Sequence, residues 1–92
     1  AEAAGFITFS FESSKIIDEE RFIKFLDRQP LELFRIKGPV RFSNKTRMLN
    51  YVGTKPNWQH WPDTQTTRLA FIGWGVIEEQ ITAQLNRCLV CV

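Results

Sequence analysis

Cysteine, histidine and clustered glycine are all scarce in this 92-residue chain, and each scarcity removes a class of chemistry. There is one histidine, His60, so an acid/base constellation would have to be built from carboxylates instead. The two cysteines, Cys88 and Cys91, stand three apart near one end and cannot staple distant segments, which excludes a disulfide framework. The five glycines are dispersed, and none is followed by Lys-Ser or Lys-Thr; without a phosphate-cradling loop the chain is not expected to bind GTP itself. A nucleophile elbow, a His-Glu-x-x-His helix and an acidic calcium loop are missing too. No apolar run approaches the roughly 20 residues of a membrane span, and the first residues lack a basic-then-apolar leader, so a cytoplasmic location without membrane contact is expected. A net charge of +2 is too small to make phosphate-backbone binding the default.

What is present is an ordinary globular composition, 43% hydrophobic and 24% charged, with eight Phe and three Trp to fill one core. From Phe6 to Glu12 apolar Ile7, Phe9 and Phe11 alternate with Thr8, Ser10 and Glu12, the period of a half-covered strand. Asp18 then stands where an N-cap is needed, Glu19 and Glu20 complement the positive end of a helix, and Phe22, Ile23, Phe25 and Leu26 form its apolar stripe. Gln29-Pro30 stops it. Alternation resumes over Leu33–Phe42, with Phe34, Ile36, Val40 and Phe42 expected on the core side and Gly38-Pro39 expected to form a bulge or edge break. Ser43-Asn44-Lys45 turns the chain into a paired strand from about Arg47 to Val52. The Trp-bearing stretch to Pro62 reads as a short strand or a covering loop, Arg68–Trp74 as a last strand, and Ile77, Ile81, Leu85, Cys88 and Leu89 as one face of a final helix.

This order, β-α-β-β-β-β-α, predicts an α+β two-layer sandwich: a mostly antiparallel sheet of four or five strands with both helices on one face, a variant of the ferredoxin-like arrangement. Residues 1–4 read as a linker remnant and residues 5–92 as the domain.

Three candidate surfaces follow. The spacing of Cys88 and Cys91 is that of half a zinc site, for which His60 is the one further soft ligand; the alternative makes Cys88 a small hydrophobe in the helix stripe. Arg35, Lys37 and Arg41 on the side of the sheet away from the core, with Tyr51 near them, would give a basic face able to take RNA, although the glycine and aromatic signature of such modules is missing and a solvated strand face looks the same. Leu33, Leu49, Ala70, Ile72 and Trp74 fall on or near that same parity. They would leave apolar surface for a neighbouring domain unless Asn57–Pro62, with Trp58 and Trp61, folds over it. The Glu19-Glu20 and Glu78-Glu79 pairs sit in first helical turns, where the helix dipole accounts for them without catalysis.

Several segments in order, GFITFSFES, EERFIKFLDR, FRIKG, YVG with a tryptophan-bearing stretch behind it, RLAFIG, and a closing helix that ends in CL, resemble the C-terminal domain of the CobW family of metal-handling GTPases. The likeness runs from about Gly5 to Leu89; RIKG and RLAFIG in that order are its more specific part. It implies a non-catalytic accessory domain that follows a GTPase domain in proteins of cobalamin synthesis and zinc homeostasis. The GTP, magnesium and zinc or cobalt of such a parent would be held outside this domain. The partners implied are the parent's own GTPase domain and a metalloprotein client. Arg35, Lys37 and Gly38 match the family's R-x-K-G motif, and Arg68, Phe71, Ile72 and Gly73 its later one, as fold or docking residues. Two departures stand out: Ala1–Ala4 hold none of the histidine-rich linker of many members, and Thr54 occupies a position where a second glycine is frequent.

Overall fold

A computed structural model describes residues 5–90, so that the presumed linker at 1–4 and Cys91 lie outside the described residues. The elements run β1 (Phe6–Ser13), α1 (Glu19–Asp27), β2 (Leu33–Arg41), β3 (Thr46–Val52), β4 (Lys55–Trp61), β5 (Thr67–Trp74) and α2 (Glu78–Asn86). The strands form one antiparallel-paired sheet in the order β1-β5-β2-β3-β4. Because β5 pairs antiparallel with both β1 and β2, those two run parallel to each other with β5 inserted between them. This is the split β-α-β unit of ferredoxin-like folds, extended by a β3-β4 hairpin.

Helix α1 begins where Asp18 accepts the Arg21 N–H at 3.2 Å, which satisfies one of the helix's free donors. It presses Phe22, Phe25 and Leu26 onto the sheet, while Ile23, expected in the stripe, stays 37% exposed. Helix α2 has no side-chain cap at Ile77, itself half exposed, and buries Ile81 and Leu85 on the same face of the sheet. Beneath the helices Phe11, Ile36, Val40, Leu49, Tyr51, Leu69 and Phe71 complete the core, with Phe9 stacked on Phe71 at 4.7 Å.

The structure revises three assignments within the sheet. The register between β2 and β5 shifts between Leu33 and Arg35, and this irregularity inverts the parity: Leu33 is fully buried and Phe34 is 41% exposed, the reverse of the simple alternation. The Gly38-Pro39 step does not interrupt the ladder to β3, where Gly38 faces Leu49 and Pro39 faces Met48; it is the pairing to β5 that ends beyond Lys37. Leu49 belongs to the core face, since its partner Gly38 shares the side of Ile36 and Val40.

Gly38 is required by close approach. At φ +147° it lets the β5 backbone pass so near that an added Cβ would lie 1.9 Å from the Arg68 carbonyl oxygen. Just beyond it, where the backbone pairing to β5 has ended, the Arg41 N–H donates to the buried side-chain hydroxyl of Thr67 on β5 at 2.9 Å. The β3-β4 hairpin turns on Gly53 and Thr54, both at positive φ, as a two-residue turn matched to strand twist demands.

Candidate interaction surface

The face of the sheet opposite the helices carries, by register, Phe6 and Thr8 from β1, Ala70, Ile72 and Trp74 from β5, Arg35 and Lys37 from β2, and Val52 and Asn50 from β3. No helix covers it. At one end Phe6 meets Trp74 edge-on with ring centroids 4.8 Å apart, and the displaced Phe34 packs on Phe6 at 6.0 Å. These three rings remain 39–44% exposed, and Ile72 at 37% and Val52 at 52% extend the apolar ground beside them. Aromatic rings that are packed on one another yet open on one side present rigid, low-entropy contact area. Arg35 and Lys37 border this patch and make no ion pair among the described residues, whereas farther along Arg68 Nε contacts the Glu12 carboxylate at 3.1 Å. The arrangement offers an apolar centre with a basic margin.

Not all the residues singled out from sequence reach this face. Trp74 and Trp61 do, the latter 38% exposed near the far end of β4. Tyr51 does not: as the partner of Ile36 it points under the helices and is 1% exposed, so it cannot accompany Arg35 and Lys37 in stacking a base. Burial, with Asp27 adding to it, pushes its phenol above the ordinary value. Trp58 also turns to the helix side, its ring 6.0 Å from Phe22 and 5.7 Å from Phe42. The segment that holds it is a paired strand, β4, and does not fold over the bare face as a loop.

Cys88 lies just past the end of α2, is 3% exposed and belongs to the core cluster. Burial raises its thiol pKa, Asp18 adds to the rise, and Arg21 opposes it. His60 sits exposed on the outer strand β4, and among the described residues no group of three or more His, Cys, Asp or Glu is placed to hold a metal ion. Sequence reading overlooked Phe6 and Phe34. Phe6 was legible as the apolar residue out of parity with Ile7, Phe9 and Phe11, but nothing in the letters marks the register shift that frees Phe34.

The fold, a five-stranded sheet roofed on one side by two helices, has counterparts among known proteins. The model of the cobalamin synthesis protein CobW C-terminal domain matches residues 6–89, and the chain belongs to that family. Among solved structures, the Zn(II)-bound YjiA GTPase from E. coli superposes with a TM-score of 0.77 at 20% identity, over 94% of this chain and 30% of that one. A Zn(II)-bound triple mutant of the YjiA GTPase gives 0.74 at 19% identity over the same shares. At these identities the likeness is one of fold. No curated protein matches by sequence. The glycines of the two family motifs have structural tasks here: Gly38 admits the β5 backbone, and Gly73 leaves room for Val76, whose methyl would lie 2.8 Å from an added Cβ. No helix among the described residues is long and apolar enough to cross a membrane.

Proposed function

We propose that this chain is the non-catalytic accessory domain of a CobW-like, metal-handling GTPase that serves cobalamin biosynthesis or zinc or cobalt homeostasis in the cytoplasm. Its bare sheet face docks on the GTPase domain of the parent chain, and a metalloprotein client is the further partner. The observation that carries this reading is the Phe6-Phe34-Trp74 cluster, in which Phe34 and Trp74 both pack on Phe6 and all three rings are left 39–44% exposed on a face that no element of the described residues covers. The solved YjiA GTPase chains, of which this one spans 30%, supply support: a further body of protein more than twice its size accompanies the same fold there. In this reading GTP and magnesium are held by the parent's GTPase domain, in keeping with the missing phosphate loop in this chain.

Two measurements test the reading. Calorimetry of the 92-residue chain with GTP and magnesium is expected to show no binding, and micromolar affinity would refute it. In the longer protein that carries this domain, Phe34→Glu with Trp74→Glu should detach it and increase the radius of gyration measured by small-angle scattering. An unchanged radius, with the variant folded by circular dichroism, removes the bare face as the docking surface.

A further inference from the structure

The helical layer has a second feature, of opposite character to the bare face. The two helices are joined at one end by Gln29 Nε2 donating to Gln84 Oε1 at 2.9 Å. At the other end the tail after α2 is held against the segment before α1, through Asp18 N–H to Cys88 O at 2.7 Å and Val90 N–H to Ile16 O at 2.8 Å. Between these ties the helices leave an open cleft of about 670 Å³, floored by Phe25 and Leu89. Its walls carry Arg21 and Lys24 from α1 and Arg28 and Arg87 from just past the ends of α1 and α2, four of the chain's 12 Lys and Arg, with no carboxylate among the lining residues.

Among the described residues the charge in the cleft is incompletely answered. Arg21 Nε lies 3.8 Å from Asp18, and Lys24 Nζ 3.5 Å from Glu20, both solvent-exposed pairs of the kind that contribute little. Arg28 and Arg87 have no side-chain hydrogen bond or ion pair among the described residues. Like charges gathered over an apolar floor leave two guanidinium forks free for a carboxylate or phosphate.

Two observations choose between anions. The floor offers no open ring: Phe25 is 4% exposed, so a base would find no surface to stack on, and stacking is what a single-stranded nucleic acid or a nucleotide gains in such a groove. The cations are also strung out, at positions i, i+3 and i+7 along α1 and its C-cap, over roughly 10 Å of helix axis. Carboxylates at alternate positions of an extended peptide recur about every 7 Å, near the roughly 6 Å axial separation of Lys24 from Arg28. We propose that the cleft between α1 and α2 binds an acidic peptide segment of a partner protein, with Arg28 and Arg87 as its principal carboxylate contacts. The cleft is on the opposite layer from the bare sheet face, so this inference stands or falls apart from the docking reading.

Fluorescence anisotropy with a fluorescein-labelled peptide of alternating Glu and Gly tests it on the 92-residue chain, against unlabelled oligouridylate and pyrophosphate as competitors. Binding is expected at about 20 mM salt and should weaken strongly by about 0.3 M. Arg28→Glu with Arg87→Glu should reduce affinity by about tenfold or more, whereas Arg35→Glu with Lys37→Glu, the same charge change on the bare sheet face, should alter it by about twofold or less. Arg28→Gln with Arg87→Gln provides the milder variant if the reversal lowers the melting temperature. Equal losses from both pairs would mean attraction by net charge alone and would overturn the proposal. So would undiminished binding by the cleft variants, or oligouridylate or pyrophosphate binding more tightly than the peptide.

Discussion

The two faces of this sheet are made by the same strands and end in opposite states. On the helix side Ile36, Leu49, Tyr51, Leu69 and Phe71 are 0–1% exposed, sealed by Phe22, Phe25, Leu26, Ile81 and Leu85. On the other side Phe6, Phe34, Ile72 and Trp74 keep 37–44% of their surface in water. Both faces carry large apolar side chains, so hydrophobicity alone does not say which is the core. The helices decide: two short amphipathic segments can roof one layer, and strand alternation leaves the remaining rings on the reverse. The covered rings answer to the fold and the bare ones far less, and substitutions should separate the two sets.

The sharpest break is at Gly38, where the covered face admits no side chain. Gly38→Ala should lower stability by on the order of 4 kcal/mol or more, through collision with the Arg68 carbonyl, and leave the domain unfolded or nearly so in a thermal melt. A native melting curve for that variant would mean that β2 and β5 do not approach as described. The adjacent pair Leu33 and Phe34 gives the closest comparison, because one residue of separation moves a side chain from one face to the other. Leu33→Ala should cost about 2–5 kcal/mol, and Phe34→Ala only about 1 kcal/mol, the value of its ring contact with Phe6. Urea denaturation of both variants checks this, and equal losses would contradict the register shift. The smallest effect is expected outside either face. Thr54 sits at φ +67°, a conformation that disfavours any residue with a Cβ, so Thr54→Gly should raise stability by about 0.5–1 kcal/mol in the same assay.

Much of this architecture was legible in the letters. Helix α1 is announced by Asp18, by the acids of its first turn and by Phe22, Phe25 and Leu26 at helical spacing, because capping and amphipathicity are local properties. Strands β1 and β5 follow from strict alternation for the same reason. Leu33, Phe34, Leu49 and Tyr51 were misplaced because a single register shift, and the choice of which strand pairs with which, are decided by the whole sheet. The aromatic patch was half visible: Ile72 and Trp74 have the parity of the uncovered face, but Phe34 reaches it only through an irregularity without a sequence signal. The cleft between the helices was readable in part from Arg21, Lys24 and Arg28 at i, i+3 and i+7; that Arg87 joins them depends on the tail being held beside α1.

The insertion of β5 between β1 and β2 has a consequence for how the molecule is born. As the chain leaves the ribosome, β1 and β2 have no ladder partner for the gap between them until Thr67–Trp74 has emerged. Only the β2-β3-β4 meander can zip early, and β1 with α1 must wait for a strand made last. Arrested nascent chains that end before Thr67 should therefore protect the meander from proteolysis and leave Phe6–Ser13 open to it, with cooperative closure appearing only once the central strand is free.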